Sequence, residues 1–230
     1  QQLVEKAERW IHLDANHNKK IALRVYELIQ YENIELAEQY LSLLWGVHKK
    51  DRAEHGFAAT KAVIENLFKV MAIKDEIYVA HLLTSQEKLE RDKQRYRIDS
   101  SNGDQISYIH LNRPAFSFWG LELEWDLNTR NWMLHIIKRC KFLRRWLPEW
   151  HRREKEFRDW YVELVRKFNY FQEDYFYWRY IEILKSPGTV NGYRKIRYPK
   201  MEEARQRVDR LLAEVESNNT QEKESYEIQI

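Results

Sequence analysis

Apolar residues return at every third or fourth position along most of this chain. Leu3, Ala7, Trp10 and Ile11, then Ile21, Val25, Leu28 and Ile29, then Ile34, Ala37, Tyr40, Leu41 and Leu44 each place one apolar stripe on a helix. Asp14 and Asn16 are candidate caps at the first junction, and Gly46 is a candidate stop after the third stripe. A polar run occupies residues 48–56. A helix is expected from about 58 to 83, and from 67 to 83 its pattern is apolar nearly all round, as in a buried helix, except that Lys74, Asp75 and Glu76 stand together in its middle. Three successive helical positions fan across roughly 200°. No single solvent-facing stripe holds all three, so either the helix breaks here or at least one charge meets a partner.

Residues 95–127 change period. Tyr96 and Ile98, then Ile106 and Tyr108, flank the turn-rich run Ser-Ser-Asn-Gly-Asp, which predicts a β-hairpin turning at Asn102-Gly103. Pro114 interrupts the next segment, and Leu121, Leu123, Trp125 and Leu127 alternate as in a half-buried strand. Helical spacing resumes at Trp132 with Ile136, Arg139 and Leu143, and Pro148 breaks it. A helix from 149 to about 168 carries Phe157, Trp160, Tyr161, Leu164, Val165 and Phe168. An aromatic stretch ends at Ser186, Pro187 and Gly188. The last helix has Pro199 near its first turn and Met201, Ala204, Val208, Leu211, Leu212 and Val215 as its seam. With no internal repeat and no linker, the pattern predicts a mainly α fold. It is a single helical domain over residues 1–216 with a small β-hairpin insertion around 95–127, then a polar, disordered tail over 217–230.

Composition sharpens this in three ways. Six Gly and four Pro among 230 residues leave little material for phosphate-cradling loops or a many-turned β-sandwich, whereas nine Trp, fourteen Tyr and nine Phe supply large buried or interface surfaces. Lys plus Arg exceed Asp plus Glu by 39 − 36 = 3, a near balance that fits solvated amphipathic helices. The single cysteine, Cys140, excludes an intrachain disulfide and a Cys-ligated zinc or iron-sulfur site. No apolar run reaches the roughly 20 residues of a membrane span, and the first residues have no signal-peptide core. A soluble cytoplasmic protein is expected.

Candidate chemistry is sparse. None of the eight His lies in H-E-x-x-H, and none follows a Glu by three positions as in di-iron bundles; His12 with His17, and His48 with His55, read as surface residues. No G-x-S-x-G is present, and Cys140, among Lys138, Arg139 and Lys141, reads as a partly buried structural thiol. The segment 138–160 is the candidate nucleic-acid surface, since its cations suit phosphates and Trp146, Trp150 and Trp160 suit base stacking. Glu149, Glu154, Glu156 and Asp159 interrupt it, so a solvated or intersubunit helix face is the preferred reading.

The order of several short motifs is more telling. MAIKDEIYVAHL resembles the MAYKDEYEVARL signature in the C-terminal helical region of indolepyruvate-type 2-oxoacid:ferredoxin oxidoreductases. YELIQYENIELAEQYLSLL is similar to that region's LTAYQ-x-x-x-x-A-x-x-Y helix, and YIHLNRPAF to its F-H-L-A-P-P-L segment. NWMLHIIKRCKFLRRW resembles W-M-x-x-F-x-x-L-A-x-L-K-x-L-R-G-T, HRREKEFRDWYVEL resembles E-R-R-x-E-R-x-L-I-x-x-Y, and VNGYRKIRYPKMEEARQRVDRLL resembles the closing I-R-G-Y-G-H-V-K-x-x-N-x-x-x-A helix. The collinear set spans about residues 24–215. Ile73 departs from the signature tyrosine, Asn112-Arg113-Pro114 from A-P-P, and Arg145-Trp146-Leu147 from R-G-T.

The resemblance implies a part in the oxidative decarboxylation of aryl 2-oxoacids to acyl-CoA, with electrons passed to ferredoxin. Thiamine diphosphate, Mg and the iron-sulfur clusters are expected in partner subunits or domains, because this chain has neither a G-D-G thiamine motif nor a cysteine cluster. It is thus expected to bind no cofactor itself and to act as a noncatalytic assembly subunit or domain. Lys74, Asp75 and Glu76 are the expected structural or interface signature. Arg144, Arg145, Arg152 and Arg153 are candidate contacts to an anion or a partner, the partners being the catalytic and iron-sulfur subunits and, indirectly, ferredoxin. A nucleic-acid-binding module over 138–160 is the alternative, and a CoA-binding module using Lys74 or Arg144-Arg145 is a third reading.

Overall fold

The computed structural model describes the backbone of residues 2–106, 108–112, 115–118, 121–124, 127–147, 149–168, 174–193 and 196–227. In chain order these form α1 (Gln2–Trp10), α2 (Ala15–Tyr31), α3 (Ile34–His48), α4 (Ala58–Met71), α5 (Glu76–Leu83) and α6 (Gln86–Tyr96). Four short strands come next: β1 (Ile109–Asn112), β2 (Ala115–Phe118), β3 (Leu121–Glu124) and β4 (Leu127–Arg130). The remainder is α7 (Asn131–Ile137), α8 (Leu143–Trp146), α9 (Arg152–Lys167), α10 (Asp174–Leu184) and α11 (Arg197–Glu227). The protein is mainly helical, as the periodicity predicts.

The pattern predicts one domain, but the contacts fall into two compact units, one of residues 1–72 with 153–230 and one of residues 73–152. Periodicity shows which face of each helix is apolar, not which faces share a core.

In the discontinuous unit, α2 packs on α1, α3 and α4, while α10 packs on α4 and α11. Leu28, Tyr40, Leu41, Leu44, Ile64, Leu67, Phe157, Tyr161 and Phe168 are buried there. Buried phenols need partners. Tyr40 donates to the Ile64 carbonyl at 2.9 Å and Tyr161 to the Leu184 carbonyl at 2.6 Å. Burial raises the pKa of both, so they remain neutral donors. Val208 and Leu211 of the predicted α11 seam form a core cluster with Ile183 of α10, against which Trp160, Leu164, Tyr180 and Leu212 pack.

Asp14 caps α2 by accepting from the His17 amide, and Asn33 caps α3 through the Leu36 amide. Gly46 does not stop α3, which runs on to His48. One consequence corrects the sequence reading of His48, which is buried instead of surface-exposed; its ring centroid lies 4.6 Å from that of Phe57 and 5.9 Å from that of Trp45.

The helix predicted over 58–83 is interrupted. α4 ends at Met71, Ala72 to Asp75 are non-helical, and α5 begins at Glu76. In the unit of residues 73–152 the hairpin expected around Asn102-Gly103 is not seen. α6 instead extends to Tyr96 and closes at Arg97 in the left-handed region. The Asp99 carboxylate then accepts from the Ser101 amide at 2.9 Å and the Asn102 side chain at 3.1 Å, folding Ser100–Asn102 into a 3-10 turn. Such short-range side-chain bonds compete with strand pairing. The strands lie further on, with β1 antiparallel to β4 and β2 antiparallel to β3, Ile109 opposite Arg130 and Phe118 opposite Leu121. Pro114, Trp125 and Pro148 lie outside the described residues. The line expected through Trp132 and Leu143 is likewise divided between α7 and α8. α11 continues to Glu227 where a disordered tail is expected, residues 228–230 lying outside the described ones.

Candidate functional site

The break before α5 gives the charged triplet its use. Asp75 has extended backbone angles and is the N-cap of α5, its Oδ1 accepting from the Tyr78 amide at 2.7 Å. The same oxygen accepts from Arg144 Nη2 at 2.9 Å, and Oδ2 accepts from Arg144 Nε at 2.5 Å. The side chains of Arg144 and Asp75 are 8% and 3% exposed, so this is a two-pronged ion pair withdrawn from water. Both Asp75 oxygens are occupied by donors. That arrangement suits an architectural tie.

Glu76 makes the second tie. Its Oε2 accepts from His151 Nε2 at 2.9 Å, and since a carboxylate can only accept, Nε2 carries the proton. The His151 ring is nearly enclosed and lies 5.1 Å from the Trp150 ring, while its backbone takes φ 56, a left-handed conformation sparsely used outside glycine. Lys74, between the buried Ile73 and Asp75, is exposed. The triplet therefore divides by role: Lys74 outward, Asp75 to Arg144, Glu76 to His151.

The four candidate arginines also divide. Arg144 is structural, and Arg145 next to it on α8 is exposed. Arg152 is exposed and sits 3.4 Å from Glu149, and Arg153 stacks over the Tyr198 ring at 4.9 Å within the discontinuous unit. Arg153 lines a shallow groove between α9 and α11 with Glu156, Tyr198, Glu202 and Arg205. Two guanidinium groups against two carboxylates leave that groove without the cationic excess an anion site needs. Among the stacking candidates of segment 138–160, Trp160 packs on the α10–α11 core cluster, whereas Trp146 is 77% exposed.

Burial first, and then the charges of Lys141 and Lys138, hold the His81 pKa below its usual value, so His81 is neutral and stacks 6.2 Å from Tyr78. Cys140 is partly buried and its thiol lies 3.5 Å from the Ile136 carbonyl. Among the described residues no group of three or more His, Cys, Asp or Glu is placed to hold a metal ion.

A family of unknown function, DUF6537, matches residues 17–210. The chain belongs to this family. No curated protein and no solved structure matches it. The DUF6537 match takes in both units and both ties at the start of α5. Among the described residues no helix is long and apolar enough to cross a membrane.

A second polar centre, in the discontinuous unit, escaped the sequence reading. Asp51 accepts from the Thr60 amide at 2.7 Å, the Thr60 hydroxyl at 2.6 Å, the Tyr177 hydroxyl at 2.7 Å and the Arg52 amide at 2.8 Å. His48 Nδ1 lies 3.4 Å from the Thr60 hydroxyl. Thr60 is fully buried, so the His-Thr-Asp sequence is not a nucleophilic site open to substrate. Its partners are up to 126 residues apart, and no local spacing announces such a centre.

Proposed function

We propose that this chain is a noncatalytic structural region of an indolepyruvate-type 2-oxoacid:ferredoxin oxidoreductase, which keeps the thiamine-bearing and iron-sulfur-bearing parts of that enzyme in association. Support comes first from the collinear motifs over residues 24–215. The observation that carries the proposal is the Asp75–Arg144 pair, because it joins two separate segments that both resemble this enzyme class. A signature whose carboxylate is held by an arginine and a helix amide is a signature of architecture. Thiamine diphosphate, Mg and iron-sulfur clusters belong, on this reading, to the associated parts.

The test is reconstitution. Catalytic and iron-sulfur parts of such an oxidoreductase are purified with and without this chain, and indolepyruvate-dependent reduction of ferredoxin is followed. Assembly and turnover that depend on the chain are the expected result. Decarboxylation of a 2-oxoacid by this chain alone, or full assembly and activity without it, overturns the proposal.

A further inference from the structure

Residues 73–152 are an insertion. The chain leaves the discontinuous unit after Ala72 and returns to it at Arg153, so the insertion has one incoming and one outgoing end. A helix stops or starts at each. α4 ends at Met71, and α9 begins at Arg152 behind His151, whose φ is 56. The two ties of the charged triplet fasten these ends to each other. Asp75, beside the incoming end, holds Arg144 across 69 residues of chain, and Glu76 holds His151 across 75. All four tied side chains belong to the insertion.

The interior of the insertion is lean. Among the described residues it buries the apolar side chains of Ile73, Ile77, Tyr78, Ala80 and Leu134, and it leaves Tyr96, Trp132, Ile136, Phe142 and Trp146 exposed. The discontinuous unit buries Tyr40, Phe157, Tyr161, Phe168 and Tyr177 completely. Stability is distributed unevenly within a folded chain, and units with few buried apolar contacts open at a lower free energy than the rest. Holding the ends of a long loop together restricts the conformations open to it. We infer that the Asp75–Arg144 and Glu76–His151 ties form a clasp on a separately opening unit, whose release unfolds residues 73–152 as a block while the discontinuous unit keeps its fold. Order in the insertion is then gained or lost without disturbing the buried phenols of the other unit. The clasp stands on the geometry of the two ends and does not depend on the function proposed above.

Hydrogen exchange of the full chain, read peptide by peptide by mass spectrometry, tests it. In the native chain the amides of α5, α6 and α7 exchange through one common opening and are less protected than those of α3, α4 and α9. The double variant Asp75→Asn/Glu76→Ala releases both ties yet keeps a capping side chain for α5. It lowers the protection of α5, α6 and α7 together by at least about a hundred-fold, the size expected from stranding a buried charge. Protection in α3, α4 and α9 stays as it was. Arg144→Met, which opens the clasp from its other side, gives the same block. An equal loss in α3, α4 and α9 makes the chain one cooperative whole and overturns the inference. Loss confined to α5, with α6 and α7 still protected, reduces the ties to a helix cap and overturns it as well. So does a double variant that does not fold at all, because the discontinuous unit then depends on the insertion.

Discussion

Replacing Asp75 by Ala removes two things at once. Arg144 loses its counter-ion in a position where its side chain is 8% exposed, and α5 loses its cap. The withdrawal of both side chains from water means that the weak values typical of surface pairs do not apply. Stranding one member of a buried pair costs about 3–5 kcal/mol, and loss of an Asp cap adds about 1 kcal/mol. At roughly 4 °C or more per kcal/mol for a unit of this size, Asp75→Ala lowers the melting temperature of residues 73–152 by more than about 10 °C. Asp75→Asn separates the two contributions, because Asn also caps well yet leaves Arg144 without a negative charge. Arg144→Met strands the carboxylate instead. The double variant Asp75→Asn/Arg144→Met is expected to be more stable than the sum of the single losses implies, by up to about 3 kcal/mol of coupling. Urea unfolding followed by circular dichroism, with hydrogen exchange at the amides of α5, reads these changes. A loss below about 1 kcal/mol for Asp75→Ala, or strictly additive single variants, refutes the reading of this pair as a structural tie.

Three other outcomes are expected from the discontinuous unit. Tyr177→Phe removes one of the four hydrogen bonds to Asp51 and costs about 1.5–3 kcal/mol, as bonds to charged groups do, measured by urea midpoint. Burial, opposed by Asp51 and aided by His12, holds the His48 pKa below its usual value. The unfolded chain therefore binds the extra proton first; the contribution of His48 is complete above about pH 6.5 and declines as pH falls from there toward its folded-state pKa. His48→Gln flattens that part of a stability-versus-pH curve, and an unchanged slope counts against this placement of the ring. Gly192 has φ +103, and a Cβ there would lie 2.7 Å from the Ile196 side chain just before α11. Gly192→Ala destabilises by about 1–3 kcal/mol in a thermal melt, and a neutral result contradicts the conformation described.

The range over which each interaction acts decides how much of it the chain discloses in advance. The seam Met201, Ala204, Val208 and Leu211 is legible because helical periodicity is a property of neighbours a few residues apart, and all four are buried. Asp14 could be recognised as a cap for the same reason, since its partner is three residues away. Lys74-Asp75-Glu76 was legible as a conflict, three charges in an apolar run, but not in its resolution. The partners that decide it, Arg144 and His151, lie 69 and 75 residues further on. Asp51 lay deeper still, because one acidic residue in a polar run reads as solvated until Tyr177 reaches it from α10. Asn102-Gly103 shows the opposite error, in which a strong local turn signal masked a stronger local competitor. The Asp99 carboxylate holds Ser101 and Asn102 in a 3-10 turn in place of a hairpin. Cores and caps are thus short-range facts, while charged centres are long-range ones. The charge that looks most misplaced in a sequence is therefore the position from which to search for a distant partner, as Asp75 and Arg144 illustrate.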